Sequence, residues 1–461
     1  MTGVPTMQGA ISDLAPPADW ADFIRANPQV TGLDAFIIDV NGNTLGKRVP
    51  LADAPKVFTE GVQFSASALI ADSRGLGHDV HGMGTSDGDP DGTALPIRGS
   101  LRLAPWTLAP TAQVLCEMRH VDTRAPYWFD PRGLLADVVR RCRAAGMHPV
   151  VACELEFYLV DPLRGADGRI RPAAATPGAP APTRAANLSM DAVEAHAAFL
   201  GEVDRAAAAQ GVPLCGVVAE YGIGQHEINL RHLADPLAAA DHAVLLKRIV
   251  KGVARSMGMQ ATFMAKPFAG QPGSGQHVHV SLADADGNNR FGAAGGEELL
   301  RRAITGMQAM MYDSIGIFAP NFNSHRRFHG QFVPKTRDWG HNNRSVAFRV
   351  PAARGPGRRV EHRVAGADAS PHLLMAAILA AALHGVTHTL PETAPAEGRV
   401  DGSGAGDFPD GLWAALERTR HSAPLAEYLP RRFLDLFCEM KQRECAALLG
   451  DIIPAEYDFY L

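Results

Sequence analysis

Glutamates, histidines and arginines recur at alternate positions in several short apolar segments. In an extended strand residues i and i+2 share a face. Along Val150-Val151-Ala152-Cys153-Glu154-Leu155-Glu156-Phe157-Tyr158 this sets Glu154 and Glu156 against Cys153, Leu155 and Phe157. Glu220 ends the apolar run Gly216-Val217-Val218-Ala219, and His226-Glu227-Ile228-Asn229-Leu230 then turns Glu227 and Asn229 one way. After Gly273-Ser274-Gly275, the segment Gln276 to Leu282 aligns His277, His279 and Ser281; Arg359, Glu361 and Arg363 align in Arg358 to Val364. Any one of these strands reads as a half-buried sheet with a solvated face. Ordinary solvated faces use Thr, Ser, Lys and Gln freely, whereas these carry almost only Glu, His and Arg.

Five glutamates in one pocket repel each other unless cations neutralise them. Oxygen donors with one imidazole suit Mg²⁺ or Mn²⁺ rather than Zn²⁺, which favours thiolates and histidines. Arginines facing the same cavity suit phosphate, because the guanidinium fork matches its oxygens. The combination predicts phosphoryl transfer with two or more divalent cations per site and a nucleotide. No G-x-x-x-x-G-K-[ST] loop is present, and Gly273-Ser274-Gly275 leads into a strand rather than a helix. The phosphates therefore need the arginines.

The elements that position these residues belong to a chain of 461 residues, more than one core usually serves, so two domains are expected. Composition is 46% hydrophobic and 20% charged with net charge −5, and the basic residues are dispersed. That speaks against a nucleic-acid or membrane-surface partner. The longest apolar run, Leu373 to Leu383, is 11 residues. A bilayer span needs about 20, so a buried helix is expected there. The six cysteines form no C-x-x-C pair and read as core residues in a reducing compartment. With no basic-then-apolar start at the N-terminus, a cytoplasmic protein is expected.

Residues 1–18 read as a loose arm. A β-rich region follows, with strands at Ala35 to Val40 and Ala112 to Met118, a turn at Asn41-Gly42-Asn43, and a long loop from Asp79 to Gly99. Asp130 and Pro131 open a helix as N-cap and first helical residue, and the domain boundary is placed between residues 125 and 126. Strands and helices alternate afterwards, interrupted by loops rich in Pro, Ala and Gly at Pro162 to Asn187 and Ala394 to Pro409.

Taken in order, Glu154-Leu155-Glu156-Phe157, Glu220 through Gly224-Gln225-His226-Glu227, Lys266-Pro267 with Gly273 to His279, Asn343-Arg344-Ser345 and Arg359-Val360-Glu361-His362-Arg363 resemble the signatures of the glutamine synthetase family. Asp39-Val40-Asn41-Gly42 with Gly46-Lys47 and Pro50 is similar to that family's β-grasp domain. The resemblance implies an α+β fold: a β-grasp domain over 19–125 and a catalytic domain over 126–461 built on a curved antiparallel sheet flanked by helices. It implies one metal held by Glu156, Glu220 and Glu227 and another by Glu154, His277 and Glu361. Arg344, Arg349 and Arg359 bind ATP phosphates in this reading, with His279 and Ser281 near the nucleotide. Arg327, or its neighbour Arg326, and Arg363 hold glutamate carboxylates, assisted by Gly273, His277 and Glu156. Arg344, Arg359 and Glu220 lie nearest the reacting groups. A homo-oligomer of stacked hexameric rings, a dodecamer, is also implied.

The chain departs from that family where ammonium is captured. Capture needs negative charge, yet Ser65 in Gly61-Val62-Gln63-Phe64-Ser65-Ala66-Ser67 stands where an aspartate is expected. The flap Phe328 to Pro334 has no glutamate, with Phe332 nearest its place, and Leu188 loosely matches a pocket aromatic residue. Pro272 replaces a polar residue, and His388 stands where the family's modified tyrosine falls. Less charge and more apolar surface resemble the γ-glutamyl-polyamine and γ-glutamyl-monoamine synthetases. The expectation is an ATP-dependent ligase joining glutamate to an organic amine through a γ-glutamyl phosphate. The alternatives are ammonia-using glutamine synthetase, with Asp72 or another acid in Ser65's stead, and a catalytically silent homologue acting as a regulator or structural oligomer.

Overall fold

A computed structural model describes residues 14–175, 180–330, 333–402 and 404–460. Most of the expected arm (1–13) and Phe332 lie outside the described residues. Two sheets organise the chain. The first contains β1 (Gly32–Ile38), β2 (Thr44–Pro50), β3 (Val62–Ser65), β4 (Asp91–Pro96), β5 (Arg102–Leu103) and β6 (Thr111–His120). Its order is β2-β1-β6-β4-β3 with β5 on β6, and β1 and β6 run parallel. Strand β4 lies inside the stretch expected to be all loop. The end of the arm is also less loose than expected: Leu14 pairs with Ile97, and a helix begins at Pro17.

The second sheet contains β7 (His148–Val160), β8 (Leu214–Ala219), β9 (Gln225–Leu230), β10 (Gln260–Thr262), β11 (Gln276–Ala283), β12 (Trp339–His341), β13 (Phe348–Val350) and β14 (Val360–His362). Its order is β12-β13-β14-β11-β7-β9-β8, antiparallel except for the β12–β13 pair, with β10 also on β7. The segment expected as a seven-residue strand at Arg358 to Val364 is extended and paired only at Val360–His362, because a 3-10 turn at Gly355–Gly357 precedes it.

Alternation drives the packing of this sheet. Val151, Cys153, Leu155, Phe157, Val278 and Val280 are all buried in the main core. The helix Pro236–Ser256 packs against β7. Its Val244 also meets Phe36, Ile38, Ile97 and Leu115 of the first sheet region, so one helix serves both sheets. The helix Pro131–Ala144 starts as expected: the Asp130 carboxylate accepts from the Gly133 N–H at 2.8 Å. The apolar run Leu373 to Leu383 falls within the helix Pro371–Thr387 and is buried throughout, packed between Pro131–Ala144 and Gly296–Met310. An all-round apolar helix is stable only in such surroundings. Among the described residues no helix is long and apolar enough to cross a membrane. Five cysteines are buried as expected, but Cys215 is exposed, because β8 forms the outer edge of the sheet.

Candidate active site

Register carries the chemistry-bearing residues across the second sheet in one row. Arg349 pairs with Glu361, Glu361 with His279, His277 with Glu154, Glu154 with Asn229, and Glu156 with Glu227. Glu220 follows β8 directly, its backbone N–H bonded to the Gln225 carbonyl. All the strand carboxylates thus emerge on the face opposite the apolar core.

The side chains meet as the register dictates. His277 Nδ1 lies 3.3 Å from Glu154 Oε2 and 3.7 Å from Glu361 Oε1. His279 Nε2 lies 2.7 Å from Glu154 Oε1, and Arg359 Nε donates to His279 Nδ1 at 3.1 Å. A guanidinium can only donate, so His279 Nδ1 is the acceptor and the ring's proton sits on Nε2, pointing at Glu154. His279 therefore orients Glu154. Glu361 is 1% exposed and receives Arg349 Nη1 at 2.7 Å and a close contact from Arg363 Nη1.

Electrostatics divides these acids. Burial raises Glu227 to about 9, with Glu154, Glu156, Glu220 and Glu361 adding to the effect. Burial and Glu156 raise Glu220 to about 7, against the Tyr221 N–H, Arg344 and Arg363. Glu361 goes the other way: burial opposes ionisation, but Arg363, His277 and His279 hold it at about 2. Glu154 is likewise held below the ordinary carboxylate range, its burial overcome by His277 and His279. A carboxyl as weakly acidic as Glu227 is one that burial and four neighbouring glutamates together discourage from ionising without a cation.

Two groups of potential ligand atoms lie within 4.8 Å of one another: Glu154, Glu227 and His277, and Glu154, His279 and Glu361. Buried Asn229 Oδ1, opposite Glu154, has no hydrogen-bond partner among the described residues. This oxygen-rich donor set fits hard divalent cations.

The remaining expected residues fall as follows. Ser281 continues the His277–His279 face of β11, buried. Arg327 is buried, donates to the Val364 carbonyl at 2.7 Å, and lies against Gly273 and Gly275; Arg326 is exposed and stacks over Phe322. Arg327 is thus the inward member of the pair. Arg344 is exposed on a turn and acts electrostatically on Glu220. Arg349 donates to Glu361 and Asn342 through its two Nη atoms, and its buried Nε–H has no partner among the described residues. A Cβ on Gly275 would come within 2.8 Å of Arg327 Nη2 and 3.1 Å of His277 Nε2, so glycine here lets both side-chain tips stand where they do.

Gln225 and Tyr158 were not singled out by the sequence reasoning. Gln225 Nε2 bridges Glu156 Oε2 (3.2 Å) and the Gly273 carbonyl (3.1 Å), and Tyr158 Oη donates to the Pro272 carbonyl at 2.8 Å. Both share faces with named residues, Gln225 with Glu227 and Tyr158 with Glu156, so alternation could have found them. Together they pin the 272–275 loop despite Pro272.

Ser65 lies across from Asp91 on β4, and the Ser67 N–H donates to Asp89 Oδ1, so acids do stand near this loop; Asp72, the acid expected to stand in for Ser65, is spent. Asp72 is fully buried and accepts from Arg74 N, Leu76 N, the Arg74 guanidinium and His78 Nε2. Although burial opposes it, the Leu76 N–H and those side chains hold this carboxyl at about 2. Leu188 is exposed, sits at φ +58, and bonds through its N–H to the Ala219 carbonyl. An apolar side chain thus stands beside the strand end that carries Glu220.

Residues 129–460 match the family model described as glutamine synthetase, catalytic domain. The chain is 38% identical over 442 residues to a gamma-glutamylputrescine synthetase of Escherichia coli, covering 95% of this chain and 93% of the relative. It is 32% identical to a glutamate–isopropylamine ligase of a Pseudomonas species, covering 91% and 92% respectively. A solved structure described as a GmaS/ADP complex superposes with TM-score 0.81 at 26% identity, covering 96% of this chain and 99% of that one. On these matches and on the ordered acids of its second sheet, the chain belongs to the glutamine synthetase family.

Proposed function

We infer that this protein is an ATP-dependent ligase that joins the γ-carboxylate of glutamate to an organic amine. The observation that carries the reading is the register that gathers Glu154, Glu156, Glu227 and Glu361 beside Arg359 and Arg363. The organic amine is favoured over ammonia because Ser65 is neutral, Asp72 is satisfied within its own loop, and Leu188 offers apolar surface near Glu220, while Asp89 and Asp91 beside the Ser65–Ser67 loop suit the distal ammonium of a diamine. Relatives named for putrescine and isopropylamine support the same choice.

In this reading Glu156, Glu220 and Glu227 hold one Mg²⁺ or Mn²⁺ and Glu154, His277 and Glu361 another, with His279 orienting Glu154. Bound cations supply charge neutralisation for the nucleotide phosphates. Arg327 and Arg363 hold glutamate's carboxylates, and Gly273 meets its amino group through the backbone. A γ-carboxylate oxygen attacks the γ-phosphorus of ATP, the P–O bond to ADP breaks, and an acyl phosphate forms. Arg344 and Arg359 balance the charge on the transferring phosphoryl group. The amine nitrogen then attacks the acyl carbon, the C–O bond to phosphate breaks, and the nitrogen loses a proton. The departing phosphate takes that proton and leaves as hydrogen phosphate, so Glu220 stays with the cation it holds. Arg349 serves by fixing Glu361 as well as by adding positive charge.

The division into a β-grasp domain up to residue 125 and a catalytic domain from 126 belongs to the same proposal, as do a reducing cytoplasmic setting and a ring-forming homo-oligomer. Ile452, Ile453, Tyr457, Phe459 and Tyr460 are exposed at the C-terminal end, an apolar surface suited to subunit contact.

Phosphate release measured with glutamate, ATP, Mg²⁺ and putrescine, isopropylamine or ammonium tests the reading. At least one organic amine is expected to exceed ammonium in kcat/KM by about tenfold, the scale of one well-fitted apolar group. Ammonium equal to every amine defeats the amine assignment, and no turnover with any of them defeats the ligase.

A further inference from the structure

The helix Pro371–Thr387 ends in a group that the ligase site does not use. His384, His388 and Glu427 offer three ligand atoms within 4.8 Å of one another. His384 Nδ1 is 3.5 Å and His388 Nε2 is 3.8 Å from the same oxygen, Glu427 Oε2. The two rings stack with centroids 4.0 Å apart, and Tyr428 Oη lies 3.3 Å from His384 Nδ1.

The geometry points to a second metal site, built from these three residues, for a borderline cation such as Zn²⁺ or Co²⁺. His388 Nδ1 lies 3.1 Å from the His384 carbonyl. The Thr387 hydroxyl, also 3.1 Å from Nδ1, gives its own proton to the Leu383 carbonyl, and a carbonyl only accepts, so Nδ1 carries the proton and Nε2 presents its lone pair toward Glu427. A backbone carbonyl fixing the far nitrogen is the arrangement that orients metal-bound histidines. Capping the helix end uses only His388 Nδ1, which leaves Nε2 and the Glu427 carboxylate to pair with each other when the ring is protonated or to share an ion when it is neutral. Ligands at 2.0–2.1 Å from a tetrahedral ion stand about 3.3 Å apart, so closure needs only small side-chain movements. His388 and Glu427 are half-exposed (side chains 45% and 48%), which leaves a path for entry and a fourth position for water or Tyr428.

Two imidazoles and one carboxylate select differently from the acid-rich ligase site: nitrogen donors favour Zn²⁺ and Co²⁺ over Mg²⁺. An ion here ties the end of a buried helix to the 427–428 segment following the short helix Ala423–Ala426.

The test adds Co²⁺ to the full chain in excess Mg²⁺, which occupies the oxygen-rich site, and follows the visible bands of four-coordinate Co²⁺. One additional Co²⁺ per chain is expected, with affinity reduced at least about tenfold in both His388→Ala and Glu427→Gln. Turnover with Mg²⁺ stays unchanged in each, which shows that both variants fold. Identical Co²⁺ spectra and affinities in wild type and variants overturn the proposal, as does an absence of Co²⁺ binding at millimolar concentration.

Discussion

Two buried charged clusters in this molecule obey opposite logic. Around Lys441, fully buried on the helix Arg431–Leu449, every donor finds an acceptor: Asn321 Oδ1 at 2.7 Å, Asn41 Oδ1 at 2.9 Å and Glu444 Oε2 at 3.0 Å. Glu444 in turn accepts from the Ser73 N–H at 2.9 Å. That cluster links the β1–β2 turn, the 72–76 loop and the helix Arg431–Leu449, and it is complete in itself. The row of glutamates on the second sheet is incomplete by design. Glu361 and Glu154 are balanced by arginine or histidine, whereas burial, with repulsion from neighbouring glutamates added, raises Glu227 and Glu220 to about 9 and 7. A satisfied buried charge reads as architecture, and an unsatisfied one as a request for a partner from solution.

The strongest way to break the comparison is to remove a balanced acid from the ligase row. Glu361→Ala is expected to lower kcat/KM for amide formation by about a thousandfold or more. Residual turnover above a tenth of wild type would remove Glu361 from the machinery. Next, Lys441→Met strands Glu444 and two asparagine oxygens, so unfolding free energy falls by about 3 kcal/mol. Denaturant titration measures this, with activity per folded molecule retained; an unchanged midpoint would mean that the Lys441 cluster is not architectural.

Glu227→Gln sharpens the contrast because its effect on stability has the opposite sign. At pH 8 the folded protein keeps Glu227 largely protonated while the unfolded chain ionises it, so a glutamine stabilises the cation-free protein by at least about 1 kcal/mol, while divalent-cation affinity and turnover both fall. The wild-type pH dependence follows from the same carboxyl. Its folded pKa lies above its unfolded value, so its contribution is fully present below about 4.5 and is lost as pH rises through about 9. Without divalent cation the Tm should therefore decline between those limits, and Mg²⁺ or Mn²⁺ should restore it most at the alkaline end; a cation effect independent of pH contradicts this. The smallest expected effect is at the amine pocket. Ser65→Asp should raise kcat/KM for ammonium relative to organic amines by about threefold, as one added surface charge does. A ratio that stays the same detaches Ser65 from amine selection.

Much of the second sheet was legible because alternation of Glu and His with apolar residues is a local signal. Glu154, Glu156, Glu227, His277 and Glu361 needed only the period of two and the family resemblance to be grouped. What alternation does not reveal is which strand lies beside which. The engagement of Arg349 with Glu361 depends on the β13–β14 register, and the tautomer of His279 depends on Arg359 arriving from β14's edge. Strand β4 was hidden by its own composition. Gly92 sits in it because a Cβ there would come within 2.8 Å of Tyr127 Oη, so a residue that usually signals a loop is required by packing. His384 and His388 are one helical turn apart and visible as a pair, but Glu427 joins them only through tertiary folding.

The pairing of β11 with β7 has a further consequence for how the protein assembles. A slip of one residue would drive His277 and His279 into the hydrophobic interior and push Val278 and Val280 out among the acids. Glu154 and Glu361 would then face hydrocarbon where they now face imidazole, and the apolar contacts of Val278 and Val280 beneath would be lost in the same move. The side chains that make the row hard to bury thus also proofread the sheet, since a misaligned copy is penalised on both faces at once.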